Sequence, residues 1–105
     1  MTTPEFQSVV TKRLDYCEDL LGVKGSEYSS NDDRLHNFRI AAKAGDSTMI
    51  KAAWGMYLKH YASIYDMVHS DVVPTEAMIK EKVSDAINYH LLFEAIWEDE
   101  RVKEI

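Results

Sequence analysis

The sequence predicts an all-α protein, folded as a four-helix bundle in one domain that spans residues 1–105. Apolar residues recur at helical spacing along four segments, and no segment alternates between apolar and polar residues as a half-buried strand does. The two prolines, Pro4 and Pro74, each stand beside a threonine where a periodic segment begins, a position at which helices tolerate proline. With 105 residues, the chain is long enough for one hydrophobic core but short for two.

The composition narrows the class of function. Hydrophobic residues make up 46% and charged residues 29%, the balance of an ordinary globular protein. The formal charge of −6 argues against a nucleic-acid binder, because such proteins gather Lys and Arg against the phosphate backbone. We find neither a signal-peptide pattern nor an apolar run of about 18 residues, so we expect no membrane segment and a cytoplasmic location.

The first helix is expected from Pro4 to Leu21. Thr2 and Glu5 have the spacing of a capping box, and Gly22 is expected to end the helix. A stripe of apolar residues at helical spacing should face the core: Phe6, Val9, Val10, Leu14, Cys17, Leu20 and Leu21. The lone Cys17 is therefore predicted to be a core thiol.

The next segment, residues 23–34, is rich in Gly, Ser, Asn and Asp and predicts a loop of functional length. Asp32 or Asp33 should cap a short second helix from Arg34 to Ala44. Its inward residues should be Leu35, Phe38, Ala41 and Ala42.

Two longer helices complete the bundle. Residues 45–47, Gly-Asp-Ser, should end the second helix and cap the third, which is expected from Thr48 to His69. The third helix should bury one main face: Ile50, Ala53, Trp54, Tyr57, Tyr61, Ile64 and Val68. The fourth, from Thr75 to Glu100, should likewise bury Ile79, Val83, Ala86, Ile87, Phe93 and Trp97. Its segment from Tyr89 to Trp97 is apolar nearly all round, which predicts either a central helix or a subunit contact.

Polar residues interrupt these apolar faces at a few positions. Glu81 and Asp85 lie one turn apart, and Asp85 projects onto a second stripe with apolar residues. Such carboxylates either line a groove with a counter-ion or form a surface pair. On the third helix, Lys59 and Asp66 border small residues such as Gly55, and they are either the opposite wall of that groove or solvent-facing side chains beside a helix contact.

Histidines and cysteine offer no zinc spacing, so hard oxygen ligation of Mg²⁺ is the metal chemistry that the carboxylates favour. His60 and His90 are predicted to be hydrogen-bonded residues of the core or its boundary. The loop residues Lys24, Glu27 and Asn37 are either part of a site or a polar connection between helices.

Five short motifs carry a family resemblance: residues 24–29, Lys-Gly-Ser-Glu-Tyr-Ser; Asn37-Phe38; Ala41-Ala42; Trp54-Gly-Met56 with Lys59; and residues 85–89, Asp-Ala-Ile-Asn-Tyr. Over residues 24–94, the chain resembles small phage and prophage proteins that look like remote members of the all-α nucleotide pyrophosphohydrolase superfamily (MazG-like). The loop between the first two helices is the functional loop of that pattern.

This resemblance implies Mg²⁺-dependent hydrolysis of a nucleoside triphosphate to the monophosphate and pyrophosphate. The implied residues are Glu27 and Asp85 for catalysis; Glu27, Asp66, Glu81 and Asp85 for the metal; and Lys24, Asn37, Lys59, Asn88 and Tyr89 for the nucleotide. The superfamily pairs Glu-x-x-Glu on one helix with Glu-x-x-Asp on the next, whereas this chain lacks the first motif and has Glu-x3-Asp in place of the second.

Two functions follow as expectations. The first is Mg²⁺-dependent nucleotide binding with pyrophosphohydrolase activity. The alternative is a non-catalytic helical phage protein that binds a host or phage protein. Both are expected in the cytoplasm (the host's, if the chain is phage-encoded), without nucleic-acid or membrane partners, and as a homo-oligomer, either a dimer or a tetramer.

Overall fold

The structure, a computed structural model, describes residues 1–28 and 33–103, except for the side chains of Lys24 and of residues 26–28. Within these residues the chain forms four α-helices and no strand, which confirms the all-α class. The helices are α1 (Thr3–Tyr28), α2 (His36–Ala44), α3 (Met49–Val68) and α4 (Glu76–Lys103). Over the described part of the chain, none of them has an apolar stretch that could cross a lipid bilayer.

Helix α1 begins as predicted but ends later. The backbone N–H of Thr2 donates to the Glu5 carboxylate (2.8 Å), and the N–H of Glu5 donates to Thr2 Oγ1 (3.2 Å), so the capping box is confirmed. The expected end at Gly22 is wrong, because the helix continues to Tyr28 through residues predicted as loop. A glycine costs a helix only about 1 kcal/mol. Gly22 alone therefore does not end the helix.

Helix α2 starts after a turn made by Asp33. The Asp33 carboxylate accepts the backbone N–H of Leu35 (3.0 Å), and the first helical residue is His36 rather than Arg34. Asp32, the other predicted cap, lies outside the described residues. Of the four residues expected to point inward, Leu35, Phe38 and Ala42 are buried and Ala41 is half-buried.

The ends of α2, α3 and α4 follow the expected chemistry with one correction. Gly45 ends α2, and Asp46 takes a left-handed conformation (φ 50°) in the turn that follows. The cap of α3 is Thr48, whose Oγ1 accepts the backbone N–H of Lys51 (3.3 Å), not the preceding Gly-Asp-Ser segment. Thr75 caps α4 in the same way.

Helices α3 and α4 form the centre of the fold, since they pack against each other while α1 packs against α4 and α2 packs against α3. Lys12 of α1 pairs with Glu76 at the start of α4 (3.3 Å), and Cys17 reaches the Ser84 carbonyl further along (Sγ to O, 3.9 Å). From the first contact to the second, the residue numbers increase along both helices, so α1 and α4 run in the same direction. Cys17 is 1% exposed, which confirms the core thiol.

The main core lies between α2, α3 and α4. Its buried members are Leu35, Phe38, Ala42, Met49, Ala53, Tyr57, Phe93 and Ile96. On α4, Phe93 of the predicted face is buried, and so are Ser84, Asn88 and Ile96, which were not expected on that face.

Several residues expected in the core are therefore exposed: Phe6, Val9 and Leu14 on α1; Trp54, Tyr61 and Val68 on α3; and Ile79 and Trp97 on α4. The reason lies in the rotation of each helix. Helix α3 turns Ala53 and Tyr57 toward α4, which leaves its aromatic edge outside. The amino-terminal half of α1 has apolar residues on more sides than one neighbouring helix can cover.

Candidate functional site

A cavity of about 280 Å³ lies where all four helices converge. Its polar wall consists of Arg34, Asn37, Lys59, His60, Asp85, Asn88 and Tyr89, and its apolar wall of Leu20, Leu21, Phe38, Met56 and Leu92. Leu20 and Leu21 of α1 supply part of the apolar wall.

Asp85 and His60 face each other across the cavity wall. His60 Nδ1 lies 3.5 Å from Asp85 Oδ2, and their side chains are only 16% and 15% exposed. The pair is an ion pair whenever the imidazole is protonated, and otherwise the imidazole offers one donor and one acceptor. His60 also packs against the Tyr89 ring at 5.0 Å between centroids. The expected counter-group of Asp85 is thus a histidine on the neighbouring helix.

Tyr89 remains a neutral phenol under physiological conditions. Burial, and next the negative charge of Asp85, raise the pKa of the Tyr89 hydroxyl above its usual value of 10.0. A neutral phenol is both a hydrogen-bond donor and an acceptor. Tyr89 therefore offers the cavity a donor next to the Asp85 carboxylate.

Asn88 carries a buried oxygen for which no described residue provides a donor. The side chain is 6% exposed, and its Oδ1 has no hydrogen-bond partner among the residues that the structure describes. Leaving a buried polar atom without a partner costs about 1–3 kcal/mol. Because Asn88 also lines the cavity, a bound molecule with an N–H or O–H group would remove this cost.

Two cationic side chains reach the same cavity. Arg34 donates from Nη2 to the Leu21 carbonyl (3.3 Å) and lies against Gly25, where a Cβ would come within 2.6 Å of Arg34 Nε. The absence of a side chain at Gly25 is what admits the guanidinium. No carboxylate in the described part of the chain lies within ion-pair distance of Lys59. Among the described side chains that line the cavity, the two cations Arg34 and Lys59 outnumber the one carboxylate, Asp85, in a chain of net charge −6.

The structure brings together five of the residues selected from the sequence: Asn37, Lys59, Asp85, Asn88 and Tyr89. They come from three helices and were chosen without knowledge of their mutual distance. The side chains of Lys24 and Glu27 lie outside the description, so their predicted roles stay predictions.

The structure does not join Asp66 and Glu81 to this cavity. Asp66 lines a separate surface hollow near the start of α4. The Glu81 side chain is 65% exposed and pairs with Lys82 Nζ at 3.6 Å. Of the two interpretations of the Glu81 and Asp85 pair, the groove applies to Asp85 and the surface position to Glu81. Helical spacing could not separate the two residues, because they lie one turn apart on the same side of α4. Asp85 lines the cavity, whereas Glu81, one turn earlier, is exposed to solvent.

The carboxylates that are described do not fit a resident Mg²⁺ site. Among the described residues, no three Asp, Glu, His or Cys side chains lie close enough to hold one metal ion. Among the described side chains, Asp85 is the one carboxylate that lines the cavity. A single carboxylate can nevertheless contact a Mg²⁺ ion that arrives bound to phosphate.

Two polar residues of the cavity had no predicted role in ligand binding. Arg34 was expected only as the start of the second helix, and His60 was interpreted as a residue of the core or its boundary. A signal for His60 exists in the sequence, because Met56, Lys59 and His60 share one side of α3 by their spacing. His90 was predicted to be a hydrogen-bonded residue of the core or its boundary. It is hydrogen-bonded, with Nδ1 2.7 Å from the Ala86 carbonyl, but it is exposed.

Comparisons with protein-family models, with curated proteins and with solved structures find no match to this chain. The family resemblance described above therefore depends on its short motifs alone.

Proposed function

We propose that this protein binds a nucleoside triphosphate, as its Mg²⁺ complex, in the cavity between the four helices. The observation that carries the proposal is the placement of Arg34 and Lys59 beside Asn37, Asn88 and Tyr89 in one cavity of an acidic chain. The proposal extends the MazG-like resemblance, with the segment between α1 and α2 as its functional loop.

Each polar group has a chemical role in this proposal. The Lys59 ammonium and the Arg34 guanidinium bind phosphate oxygens, for which charge-assisted hydrogen bonds are strong. The buried oxygen of Asn88 accepts a hydrogen bond from a sugar hydroxyl or a base amino group, and Asn37 and Tyr89 supply further donors. A volume of about 280 Å³ is near the lower end for ligand pockets, so part of the nucleotide stays outside.

In this proposal Mg²⁺ belongs to the ligand and is not held permanently by the protein. Mg²⁺ commonly takes one or two carboxylates and completes its shell with phosphate oxygens and water. Asp85 is the described carboxylate that lines the cavity, and Glu27 is the second candidate. Asp66 and Glu81 take no part.

We further propose hydrolysis to the nucleoside monophosphate and pyrophosphate. A water molecule attacks the α-phosphorus, the bond from that phosphorus to the oxygen that bridges to the β-phosphate breaks, and pyrophosphate leaves. A positioned base must accept the proton of the water, and Asp85, 3.5 Å from His60, is the base in this proposal. Asp85 orients the water and accepts its proton, and His60 fixes the orientation of the carboxylate.

A binding titration tests the first part. Ribo- and deoxynucleoside triphosphates are titrated into the protein by calorimetry, with and without Mg²⁺. Lys59→Ala should weaken binding by about tenfold or more, because it removes a charge-assisted contact with phosphate. Lys43→Ala, which removes an exposed lysine of α2 that does not line the cavity, should leave the affinity unchanged.

A pyrophosphate-release assay tests the second part. Asp85→Asn should abolish release while nucleotide binding persists, since the carboxamide keeps the shape but is a poor base. If wild type binds nucleotides without releasing pyrophosphate, the hydrolytic part is wrong. If no nucleotide binds, the whole proposal is wrong and the alternative, a helical protein that binds a host or phage protein, is supported.

A further inference from the structure

We infer that the outer face of α3 is the contact surface of an antiparallel homodimer, in which α3 of one protomer packs along α3 of a second copy. This inference does not depend on the proposed function, because the face lies away from the residues that line the cavity.

The face carries a regular apolar seam. Its members follow alternating spacings of four and three residues: Trp54, Leu58, Tyr61, Tyr65 and Val68. This is the spacing of the a and d positions of a coiled coil, which keeps one stripe of a helix directed at a partner helix. All five side chains are exposed, between 44% and 72%. Ring contacts with Tyr57, Phe93 and His69 cover only part of the aromatic members.

The area of this seam is large for a surface without a partner. Each of the three half-exposed aromatic side chains, and each of Leu58 and Val68, has about 100 Å² of exposed surface. The five residues of the seam together therefore present on the order of 500 Å² of apolar surface. Together with the residues that border it, a contact along α3 approaches the ~800 Å² per partner of a standard protein interface. The seam extends over about four turns of α3, so a partner helix must carry an apolar stripe of the same length. A second copy of α3 has such a stripe by symmetry.

Gly55 and Ala62 lie next to the seam on one edge, seven residues apart. Gly55 is exposed within a helix, and a Cβ added there would meet none of the described residues within 4 Å, so no contact with them explains why a side chain is absent. Small residues at such positions let two helices approach closely. A partner helix supplies the reason for Gly55 that the protomer does not.

The charges of α3 favour the antiparallel arrangement. Lys51 occupies the next seam position toward the amino terminus, and a parallel pair would place it beside the partner's Lys51. In the antiparallel pair Lys51 lies at the carboxyl end of the partner helix, where the last carbonyl groups attract a cation. This register places Leu58 opposite the partner's Tyr61 and Trp54 opposite the partner's Tyr65.

Sedimentation velocity over a range of protein concentrations tests the interface. Wild type should be dimeric at high micromolar concentration. Leu58→Glu should weaken association at least about a hundredfold, because it buries an unpaired carboxylate at the centre of the contact. The matched control is Leu91→Glu, at a leucine of α4 with the same exposure (43% against 44%), which should remain dimeric. Circular dichroism verifies that both variants fold.

Disulfide formation tests the direction. A mixture of Trp54→Cys and Tyr65→Cys chains should form a mixed disulfide dimer, whereas neither variant alone should. In a parallel pair the two positions are about 16 Å apart, and each variant would instead cross-link with itself. A monomeric wild type at high concentration, or equal effects of Leu58→Glu and Leu91→Glu, overturns the interface. A wild type that stays monomeric yet binds another protein through this face also overturns it.

Discussion

At the scale of the single residue, Asn88 shows how a binding residue can reduce stability. Its Oδ1 is buried without a donor among the described residues, and leucine has the same number and branching of side-chain heavy atoms as asparagine without the polar oxygen. Because an unsatisfied buried oxygen costs about 1–3 kcal/mol, Asn88→Leu should raise the free energy of unfolding by about 1 kcal/mol. The same substitution should abolish nucleotide binding. Chemical denaturation and calorimetric titration measure the two effects separately.

Asn37→Ala is the control for this prediction. Asn37 lines the same cavity but is exposed, so its removal should weaken binding and leave the unfolding free energy within about 0.5 kcal/mol of wild type. A loss of stability in Asn88→Leu would mean that the amide has a structural partner, and the argument for a waiting ligand would fail.

At the scale of the element, the end of α1 positions Arg34 through Gly25. Gly25→Ala places a Cβ within 2.6 Å of Arg34 Nε, so the guanidinium must move, and nucleotide affinity should fall about fivefold. Gly22→Ala meets nothing within 4 Å and should instead stabilise the helix by about 1 kcal/mol with unchanged affinity. In an Arg34→Ala background, Gly25→Ala should have no further effect on affinity. Calorimetric titration of the four variants measures this coupling.

An ion-pair network joins the turn before α2 to the end of α4. Arg39 Nε lies 2.7 Å from Asp33 Oδ2, and Arg39 Nη2 lies 3.3 Å from Asp99 Oδ2. The hydrogen bond from Arg39 holds the pKa of Asp33 below its usual 3.8, and those from Lys103 and then Arg39 lower the pKa of Asp99. Because both pKa values are lowered in the folded state, their stabilisation is complete above pH ~4 and disappears as the pH falls below it.

Arg39→Gln should therefore flatten the acid dependence of stability. Thermal melting between about pH 5 and about pH 3 should show a smaller fall of Tm in Arg39→Gln than in wild type, although its Tm at neutral pH is lower. Arg101→Gln, which removes an exposed pair with Glu98 within α4, is the control and should retain the wild-type slope. Parallel pH profiles of wild type and Arg39→Gln would contradict the assignment.

The sequence predicted the helices well and their rotation poorly. Thr2 with Glu5 and Gly45 are local signals, and each acts where it was predicted to act. Which face of a helix is buried depends on its neighbours. Trp54 and Tyr57 have the same apolar character, yet only Tyr57 points into the core.

The candidate site, too, was predicted correctly at some residues and wrongly at others. Asp85 was recognised because a carboxylate on an apolar stripe needs a partner, and the structure provides His60. Asp66 and Glu81 were joined to it by helical spacing, which fixes angles within one helix but not the distance between two. Arg34 was missed because its contact with Gly25 depends on where α1 ends.

At the scale of the whole molecule, the cavity and the seam use different sides of α3. Met56, Lys59 and His60 line the cavity, whereas the apolar seam faces outward. The excess negative charge lies outside the cavity, so nucleotide and protein repel each other at a distance and Mg²⁺ reduces that repulsion. Ligand binding and dimerisation can therefore both occur in one molecule without competing for surface.

Dimerisation through α3 should make thermal stability depend on protein concentration. The dimer binds folded chains and not unfolded ones, so above the dissociation constant each tenfold increase in concentration should stabilise a protomer by about 0.7 kcal/mol. For a chain of 105 residues this corresponds to a rise in Tm of about 3–5 °C. Leu58→Glu, whose side chain is exposed in the protomer, should melt at the same temperature at every concentration. Melting followed by circular dichroism over two decades of concentration distinguishes the two behaviours, and a concentration-independent Tm in wild type would exclude a dimer in which association stabilises the fold.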